Sequence, residues 1–380
     1  MTAVIRDNDM HELVYQVSFN TPAFLGNAEQ QAQWRTPPFK ALLRQWWRVV
    51  KARELGYSVE ALRRAEGQVF GTAADDGPSK SLQSKVRFRL EPRADDGDKV
   101  REWEAGSLKQ WPSGEPQERH PEVGRPVGTE LYLGYGPLDY DKATRQAKLG
   151  TSKSSGKQRT AINDTVKMTL RMRLPDGLKG EIEAAMQLAA WFGTLGSRSR
   201  NAWGSLHVEA RGAAGLAPLT VAALDAYTRE FRDSLRLDWP HAIGRDSRGP
   251  FVWHTPERLT WREVMKDLSR TKIAFRTIAA PFPDARPGSL EPRHLIAYPV
   301  TNHVVQLDGW KQNGRLPNQL RFKLTRTSGN RLQGVLVHLP CRLPEPLAKG
   351  ARGHVPDEGD LWSAVHRVLD DPKHQLTRLA

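Results

Sequence analysis

Three segments in the first half of the chain alternate between apolar and polar residues, and two helix-like segments lie among them. The alternating segments are residues 13–19, 84–90 and 165–174. Period-two alternation is typical of strands that bury one face. Residues 36–55 and 181–192 instead repeat their apolar side chains with the period of an amphipathic helix. This order of strands and helices predicts an α+β fold.

Length and composition divide the chain into two parts. A chain of 380 residues favours two domains, and a composition change near residue 212 predicts domains 1–212 and 213–380. The other predicted helices are 59–68, 220–237, 259–268 and 360–369, the other predicted strands are 129–135, 205–210, 295–305, 319–326 and 333–339, and the predicted loops are 91–128 and 139–163.

The composition excludes several classes of protein. No apolar run approaches the roughly 18–20 residues that a membrane span needs, and the N-terminal residues lack the pattern of a secretory signal. Cys341 is the sole cysteine, which excludes an internal disulfide and a thiolate metal centre and fits a reducing environment. We therefore expect a cytoplasmic protein that does not contact a membrane.

Positive charge is in excess and unevenly distributed. The sequence has 57 Lys and Arg against 43 Asp and Glu, a net charge of +14. Residues 142–159 hold six cations and residues 311–342 hold seven, and neither stretch contains an acid. Such runs repel themselves unless a polyanion neutralises them, which favours a nucleic-acid partner. A generally basic protein without such a partner is the simpler alternative.

The most distinctive local feature is the segment 193–204, which reads GTLGSRSRNAWG. Its glycines permit the backbone to approach a phosphate chain closely, and Arg198 and Arg200 supply planar forks for phosphate oxygens. Trp203 offers a face either to a base or to the core. The alternative is an ordinary helix-to-strand turn with surface arginines. The segment does not match the dinucleotide-binding fingerprint.

The predicted helix 36–55 carries a second basic feature. Lys40, Arg44, Arg48 and Lys51 fall on an arc that is separate from the broad apolar arc of the same helix. This arc fits a nucleic-acid backbone, and it equally fits the solvated face of a core helix. Both interpretations stay open on the sequence alone.

Catalytic patterns are sparse. The eleven histidines form no H-E-x-x-H motif and no cluster with metal-ligand spacing. A metal-independent ribonuclease needs only one or two acid–base groups near the scissile phosphate, and His11 and His207 are the candidates. A structural or surface role is much commoner for such histidines.

Several motifs occur in an order that resembles the RAMP superfamily, the RNA-binding subunits of CRISPR effector complexes. Thr21-Pro22 followed by Phe24-Leu25-Gly26-x-Ala28 resembles the T-P-x-F-x-G-x-A turn of that family. The segment 193–204 resembles its signature loop, G-x-G-x-R-x-R-x-G-[FW]-G-S. This sequence departs from the loop at Asn201, where a third basic residue is common, and at Ala202, where glycine is usual.

Three further motifs resemble one subgroup, the first RAMP subunit of the type III-B (Cmr) complex. They are residues 40–48 (KALLRQWWR), which resemble R-G-x-L-R-x-W-W-R; Glu66-x-x-x-Phe70-Gly71, which resembles E-x-x-x-F-G; and Ser84-Lys85-Val86, which resembles S-K-V. The resemblance covers residues 13–210. It implies two ferredoxin-like domains with helical insertions.

The resemblance also implies a function. It implies a non-catalytic subunit without a cofactor, which binds guide RNA and target RNA near the 3′ end of the guide, beside other RAMP subunits. Two alternatives stay open: a metal-independent endoribonuclease of the RAMP class, and an assembly protein that docks partner subunits without touching RNA.

The candidate RNA-binding residues come from the basic helix arc, the basic stretch and the glycine-rich loop. They are Lys40, Arg44, Arg48, Lys51, Lys85, Lys148, Lys153, Lys157, Gly193, Gly196, Ser197, Arg198, Ser199, Arg200, Trp203 and Gly204. No catalytic residue and no metal ligand is predicted.

Overall fold

The computed structural model describes residues 10–73, 81–92, 107–211, 215–277, 290–300, 303–311, 314–351 and 357–380. Its contacts divide the chain into two compact units. Unit 1 contains Met1–Trp111 and Lys148–Tyr227, and unit 2 contains Pro112–Ala147 and Thr228–Ala380. The sequence-predicted domains differ from these units in two stretches, residues 112–147 and 213–227.

Helices and strands are interspersed along the described chain. Up to residue 210 they are β1 (Met10–Phe19), α1 (Thr36–Ala52), α2 (Val59–Phe70), β2 (Arg87–Pro92), β3 (Ser107–Leu108), β4 (Gln117–Arg119), β5 (Pro126–Gly128), α3 (Thr129–Gly134), β6 (Leu138–Asp141), β7 (Gln146–Leu149), β8 (Ala161–Ile162), β9 (Met168–Pro175), α4 (Lys179–Phe192) and β10 (Leu206–Ala210). The later elements are α5 (Val221–Leu224), β11 (Thr228–Glu230), α6 (Phe231–Ser234), β12 (Ile243–Asp246), β13 (Gly249–Pro250), β14 (Val252–His254), α7 (Trp261–Thr277), α8 (Pro292–Ile296), β15 (Leu320–Arg326), β16 (Leu332–His338), α9 (Glu345–Gly350), α10 (Glu358–Asp370) and β17 (Thr377–Arg378). Within the described ranges, no helix has the length and apolar character needed to cross a membrane.

The main sheet of unit 1 is antiparallel, with the strand order β10-β1-β9-β2. Along the chain its elements follow as β1, α1, β2, β9, α4 and β10, which is the βαββαβ connectivity of ferredoxin-like folds. Tyr15 of the inner strand β1 pairs with Leu170 of β9 on one side and with Ala210 of β10 on the other. The predicted α+β fold is confirmed here.

One face of this sheet is apolar and the other is polar. Leu170 and Met172 of β9 are fully buried, whereas Arg171 and Arg173 alternate with them and therefore lie on the opposite face. Helices α1 and α4 pack together over the apolar face, and the ring centroids of Trp46 and Phe192 are 5.7 Å apart. We call the opposite, polar side the open face of unit 1.

The main sheet of unit 2 repeats this connectivity. Its strand order is β15-β16-β14-β17, and its elements follow along the chain as β14, α7, β15, β16, α10 and β17. The inner strand β14 pairs antiparallel with β16 and with the two-residue strand β17. The fold is therefore ferredoxin-like in both units, although the sequence showed no clear motif in its second half.

Arginine–glutamate pairs attach residues 112–147 to the rest of unit 2. The pairs are Glu130–Arg262 at 2.9 Å, Glu118–Arg270 at 3.0 Å and Glu122–Arg293 at 2.7 Å. Such pairs are costly to break when a carboxylate is buried, and Glu130 is fully buried. These contacts account for the assignment of residues 112–147 to unit 2 rather than to the first predicted domain.

The predicted strand 129–135 is wrong, because α3 occupies Thr129–Gly134. Its buried residues include Thr129, Glu130 and Leu133, which recur with a helical rather than a strand period. The carboxylate of Glu115 accepts a hydrogen bond from the backbone nitrogen of Leu131 at 3.0 Å. A carboxylate at a helix N-terminus satisfies the first backbone donors of the helix. Because Glu115 is distant in sequence from this turn, the local pattern of apolar and polar residues does not show this contact.

Two predictions in the second half are also wrong. The predicted helix 220–237 is divided into two short helices, α5 and α6, with strand β11 between them. The predicted strand 295–305 contains instead the end of helix α8. By contrast, the helix within 259–268 exists and extends as α7 to Thr277, and the turn 328–330 joins β15 to β16 as predicted.

A buried glutamate joins α1 to α2 in unit 1. Glu66 is 3% exposed and accepts hydrogen bonds from both Arg44 and Arg48, one of them at 2.8 Å from Arg48 Nη2. Burial raises the pKa of Glu66, but the hydrogen bonds and charges of the two arginines outweigh burial and hold it below its usual range. On the same helix, the ring of Phe70 meets that of Trp47 edge-on at 5.8 Å. The sequence motif 40–48 on α1 and the motif 66–71, most of which lies on α2, are therefore in contact.

Within its described residues, unit 2 buries four histidines. His338 Nδ1 and His366 Nε2 are 2.9 Å apart, and the ring of His366 lies 3.9 Å from that of Phe251. Burial holds the pKa of His338 well below its usual range and lowers the pKa of His366 to about 3. Burial also lowers the pKa of His241 and of His294 to about 4. These side chains are therefore neutral in the folded protein.

We expect unit 2 to lose stability in mild acid. Each of these histidines takes up a proton near pH 6.5 when the chain is unfolded but not while it is folded, so the unfolded state binds more protons. The free energy of unfolding should fall as the pH drops from about 6.5 to 4, by up to about 1.4 kcal/mol per pH unit for each histidine. Urea titrations from pH 7.5 to 4.5 measure this slope. A stability that is flat or rises toward acid would contradict the prediction.

Replacing the charge of Glu66 should destabilise unit 1. In Glu66→Gln, two guanidinium groups face each other without the carboxylate, and we expect a loss of about 2 kcal/mol in the free energy of unfolding. Glu60→Gln on the same helix is the matched control, because Glu60 and Arg64 form an exposed pair worth less than about 0.5 kcal/mol. Equal unfolding free energies for the two variants would show that Glu66 stabilises the fold no more than the exposed Glu60 does.

Candidate nucleic-acid interface

The turn after β1 and the glycine-rich loop are joined by hydrogen bonds, although they are far apart in sequence. Thr21 Oγ1 donates to the carbonyl of Ala202 at 2.7 Å and accepts from the backbone nitrogen of Ser205 at 3.1 Å. The carbonyl of Pro22 accepts from Gly204 at 3.1 Å. The threonine and proline that open the turn motif therefore hold the end of the glycine-rich loop.

Two glycines of the loop have a steric requirement. Gly196 has φ +96°, and a Cβ there would lie 2.7 Å from the carbonyl oxygen of Phe24. Gly204 has φ +62°, and a Cβ there would lie 2.0 Å from the carbonyl oxygen of Leu195. The buried Ala202 has φ +71°, which strains an alanine; the signature loop that this segment resembles has glycine at this position. The glycines therefore set the shape of this loop.

The end of the basic stretch 142–159 and the residues after it pack on the same turn. Ala23 and Ile162 exchange two backbone hydrogen bonds of 2.9 Å, and Thr160 Oγ1 accepts from the backbone nitrogen of Ala32 at 2.6 Å. Three separate segments, residues 20–32, 150–162 and 193–205, thus form one surface. We call this surface the loop cluster.

Several cations of the loop cluster face solvent. Arg198, at φ +58°, is exposed and Arg200 is half-buried. Lys153 is exposed, whereas Lys157 pairs with Glu29 at 2.9 Å. Lys148, just before the cluster, is also exposed. The loop cluster therefore presents positive charge beside a tightly bonded backbone.

Arg159, at the end of the basic stretch 142–159, belongs to none of the sequence motifs. Its side chain is half-buried, and burial lowers its pKa. Its Nε is a buried donor with no hydrogen-bond partner among the described residues. Such a donor favours a bound anion. The position of Arg159 in a loop of the cluster, and not a sequence motif, therefore makes it a candidate for phosphate contact.

Trp203 packs inside the protein. It is fully buried, and its ring lies 5.1 Å from that of Phe24 and 5.4 Å from that of Trp111. The prediction of an RNA contact for Trp203 is corrected here: an indole without exposed surface cannot stack on a base, and it supports the loop from within. Trp111, which lies in the predicted loop 91–128, is the partly exposed ring among these three.

The basic arc of α1 is largely neutralised by internal pairs. Arg44 and Arg48 share Glu66, and Lys51 lies 3.4 Å from Glu181. Lys40 is the exception, because it has no acidic partner among the described residues; burial and then the charge of Arg44 lower its pKa. Most of this arc is therefore explained as the solvent-facing side of a helix whose other side packs in the core. RNA contact by Lys40, Arg44, Arg48 and Lys51 stays a prediction.

Lys85 lies at the start of a separate basic row. Its side chain is exposed, and its backbone nitrogen bonds to the carbonyl of Val69 at 2.9 Å, just before β2. It is not part of the loop cluster, so the candidate residues divide into more than one surface.

The two candidate acid–base histidines lie apart. His207 pairs with Ser18 near the end of β1, whereas His11 is near its start, seven residues earlier, a separation of about 23 Å along the strand. His207 also lies 3.0 Å from Glu209, and His11 3.5 Å from Asp176. The two histidines therefore cannot act on the same phosphate. The described residues also contain no group of three or more side chains suited to hold a metal ion.

Comparison with known proteins gives a fold. No protein-family model and no curated protein matches the sequence. Cmr1 from Pyrococcus furiosus, in its apo form, is similar in structure with a TM-score of 0.50 and 12% identity, over 97% of this chain and 98% of that one. Chains of a type III-B Cmr-beta complex bound to cognate target RNA give TM-scores of 0.43 and 0.46 at 12% and 11% identity, over 94% of this chain and 100% and 98% of theirs. The chain therefore has the fold of the Pyrococcus furiosus Cmr1 structure.

Proposed function

We propose that this chain is an RNA-binding, non-catalytic subunit of a type III CRISPR ribonucleoprotein. In that role it contacts guide RNA, target RNA or both near the 3′ end of the guide, beside other RAMP subunits. The observation that carries the proposal is the loop cluster, in which the two family-like motifs bond to each other and present Arg198 to solvent. The fold shared with Cmr1 agrees with this role.

The loop cluster suits a phosphodiester chain better than a small ligand. Its exposed cations are spread over two loops rather than gathered in a closed pocket. Phosphate contacts by arginine and lysine give affinity without reading sequence, as a subunit that accepts guides of many sequences requires. The hydrogen bonds between the turn and the loop fix the backbone, so that less conformational entropy is lost on binding.

The separation of the two candidate histidines supports the non-catalytic part of the proposal. General acid–base cleavage of RNA needs groups within hydrogen-bond reach of one phosphate, and His11 and His207 stand about 23 Å apart along β1. We expect the purified chain to bind labelled RNA in EDTA and to leave it intact. Specific cleavage under these conditions would contradict this part and favour an endoribonuclease.

Removing the two loop arginines should weaken RNA binding and reduce its salt dependence. For Arg198→Ala/Arg200→Ala we expect the Kd for a single-stranded RNA to rise about tenfold near 150 mM salt. The slope of log K against log salt should lose about 1.4, because each lost phosphate contact on a single strand removes about 0.7. Fluorescence anisotropy across a salt series measures both quantities.

The matched control is Arg63→Ala/Arg64→Ala, which removes the same charge from the exposed surface of α2. It should leave both the Kd and the salt slope close to those of the unaltered protein. Equal binding by the loop variant and the unaltered protein would contradict the proposed site, provided that both have the same thermal unfolding midpoint. A protein that binds partner subunits but no RNA would contradict the function itself and favour an assembly role.

A further inference from the structure

Helix α7 of unit 2 ends on a half-buried arginine. Arg276 lies in the last turn of α7, and its guanidinium group takes part in no hydrogen bond and no ion pair among the described residues. Burial is the largest influence on its pKa and lowers it, the charge of Arg293 lowers it further, and the charge of Glu122 raises it. A partly buried cation without an anionic partner costs free energy. Because an arginine keeps its charge at neutral pH, Arg276 is a candidate for binding an anion.

The packing of unit 2 brings a tyrosine and a histidine to this end of α7. The elements α3, β4 and α8 all pack against α7. Lys272, one turn before Arg276 on the same side of α7, has its ammonium nitrogen 5.4 Å from the ring centroid of Tyr132 in α3. The ring of Tyr132 lies 5.8 Å from that of His120, the residue after β4. We call Arg276, His120 and Tyr132 the α7 junction.

His120 and Tyr132 supply uncharged polar groups beside Arg276. Burial lowers the pKa of His120, and the charge of Arg276 is among the influences on it. Burial raises the pKa of Tyr132 to about 12, so that both side chains are uncharged near pH 7. His120 Nδ1 is buried without a hydrogen-bond partner in the part of the chain that the structure describes. An imidazole nitrogen and a phenol hydroxyl can each donate a hydrogen bond to an anion.

The acids closest to the α7 junction are engaged by other groups. Glu122 and Glu291 lie 2.7 Å and 2.8 Å from Arg293 of α8, and Glu291 also lies 3.5 Å from His303. Neither carboxylate forms an ion pair with Arg276. The fold therefore satisfies Arg293 internally and does not do the same for Arg276.

We propose that the α7 junction binds a phosphate group, whose charge Arg276 offsets. A guanidinium group binds two phosphate oxygens in parallel, and the uncharged donors of His120 and Tyr132 suit the other oxygens. The site belongs to unit 2, whereas the loop cluster belongs to unit 1, and the inference does not depend on the proposed function. A phosphodiester of RNA and a small phosphate compound offer the same chemistry, and a measurement with RNA distinguishes these two sources.

The position of Arg276 has a second physical consequence that the test must separate from binding. A cation in the last turn of a helix interacts favourably with the helix dipole, and this interaction needs no ligand. Arg367 occupies the same position in α10 of unit 2 and is exposed. Arg367→Ala is therefore the matched control for Arg276→Ala, because it removes a last-turn arginine that is not buried.

Calorimetric titration of the full-length protein with inorganic phosphate, at an ionic strength held constant with chloride, tests the site. We expect the unaltered chain to bind phosphate with a Kd of about 1 mM, because two charged hydrogen bonds supply binding of that order. Arg276→Ala should weaken this binding by about tenfold or more. Arg276→Lys keeps the charge but loses the planar fork, and it should weaken binding by a smaller factor. Arg367→Ala and the loop variant Arg198→Ala/Arg200→Ala should retain the phosphate that Arg276→Ala loses.

Two results would overturn the inference. The first is phosphate binding that is equal in Arg276→Ala and the unaltered chain, or that disappears in the loop variant instead. The second is a thermal unfolding midpoint that is lower for Arg276→Ala than for Arg367→Ala while the phosphate affinity is unchanged, since Arg276 would then have a structural role only.

Anisotropy with a labelled single-stranded RNA identifies the source of the phosphate and separates this inference from the proposed function. If Arg276→Ala loses inorganic phosphate and also binds RNA more weakly, the phosphate belongs to RNA. If it loses inorganic phosphate and binds RNA like the unaltered chain, the site takes a small phosphate compound. If the unaltered chain binds RNA but no inorganic phosphate, and Arg276→Ala binds RNA equally well, the inference is overturned and the function stands.

Discussion

The hydrogen bonds between Thr21-Pro22 and the glycine-rich loop are the contacts on which the candidate site depends. They connect residues that are far apart in sequence, since Thr21 Oγ1 donates to the carbonyl of Ala202, 181 positions later. The sheet makes this contact inevitable, because β1 and β10 are neighbours and the turn leaves β1 where the loop enters β10. Gly196 and Gly204 then allow the two backbones to touch. A ferredoxin-like connectivity thus brings two distant motifs into one surface.

Positive charge has two different roles in this protein. Some arginines are structural, since Arg44 and Arg48 share the buried Glu66, and the pairs of Glu118, Glu122 and Glu130 attach residues 112–147 to unit 2. Others, such as Arg198 in the loop cluster and Arg87 on the open face, are exposed at the surface. A net charge of +14 alone does not tell these roles apart. The exposure of each cation does, and for that reason the exposed cations of the loop cluster are the candidates for RNA.

The sequence predicted the α+β fold and the main strands and helices of unit 1, because the alternation of apolar and polar residues and the helical period both reflect which side chains are buried. It failed where distant contacts decide the structure. The helix at Thr129–Gly134 depends on the carboxylate of Glu115 and on burial in unit 2, and neither is visible in a seven-residue window. The burial of Trp203 follows from its packing against Phe24 and Trp111. The α7 junction depends on the packing of α7 against α3 and β4, which the helical period alone leaves undetermined.

Photochemical cross-linking of the full-length protein to a 4-thiouridine-labelled single-stranded RNA, followed by mass spectrometry of the cross-linked peptides, tests the central claim most directly. The account predicts cross-links in peptides from all three segments of the loop cluster, residues 20–32, 150–162 and 193–205, and their loss when unlabelled RNA competes. Competed cross-links that fall only outside these three segments would contradict the claim that this surface holds the RNA.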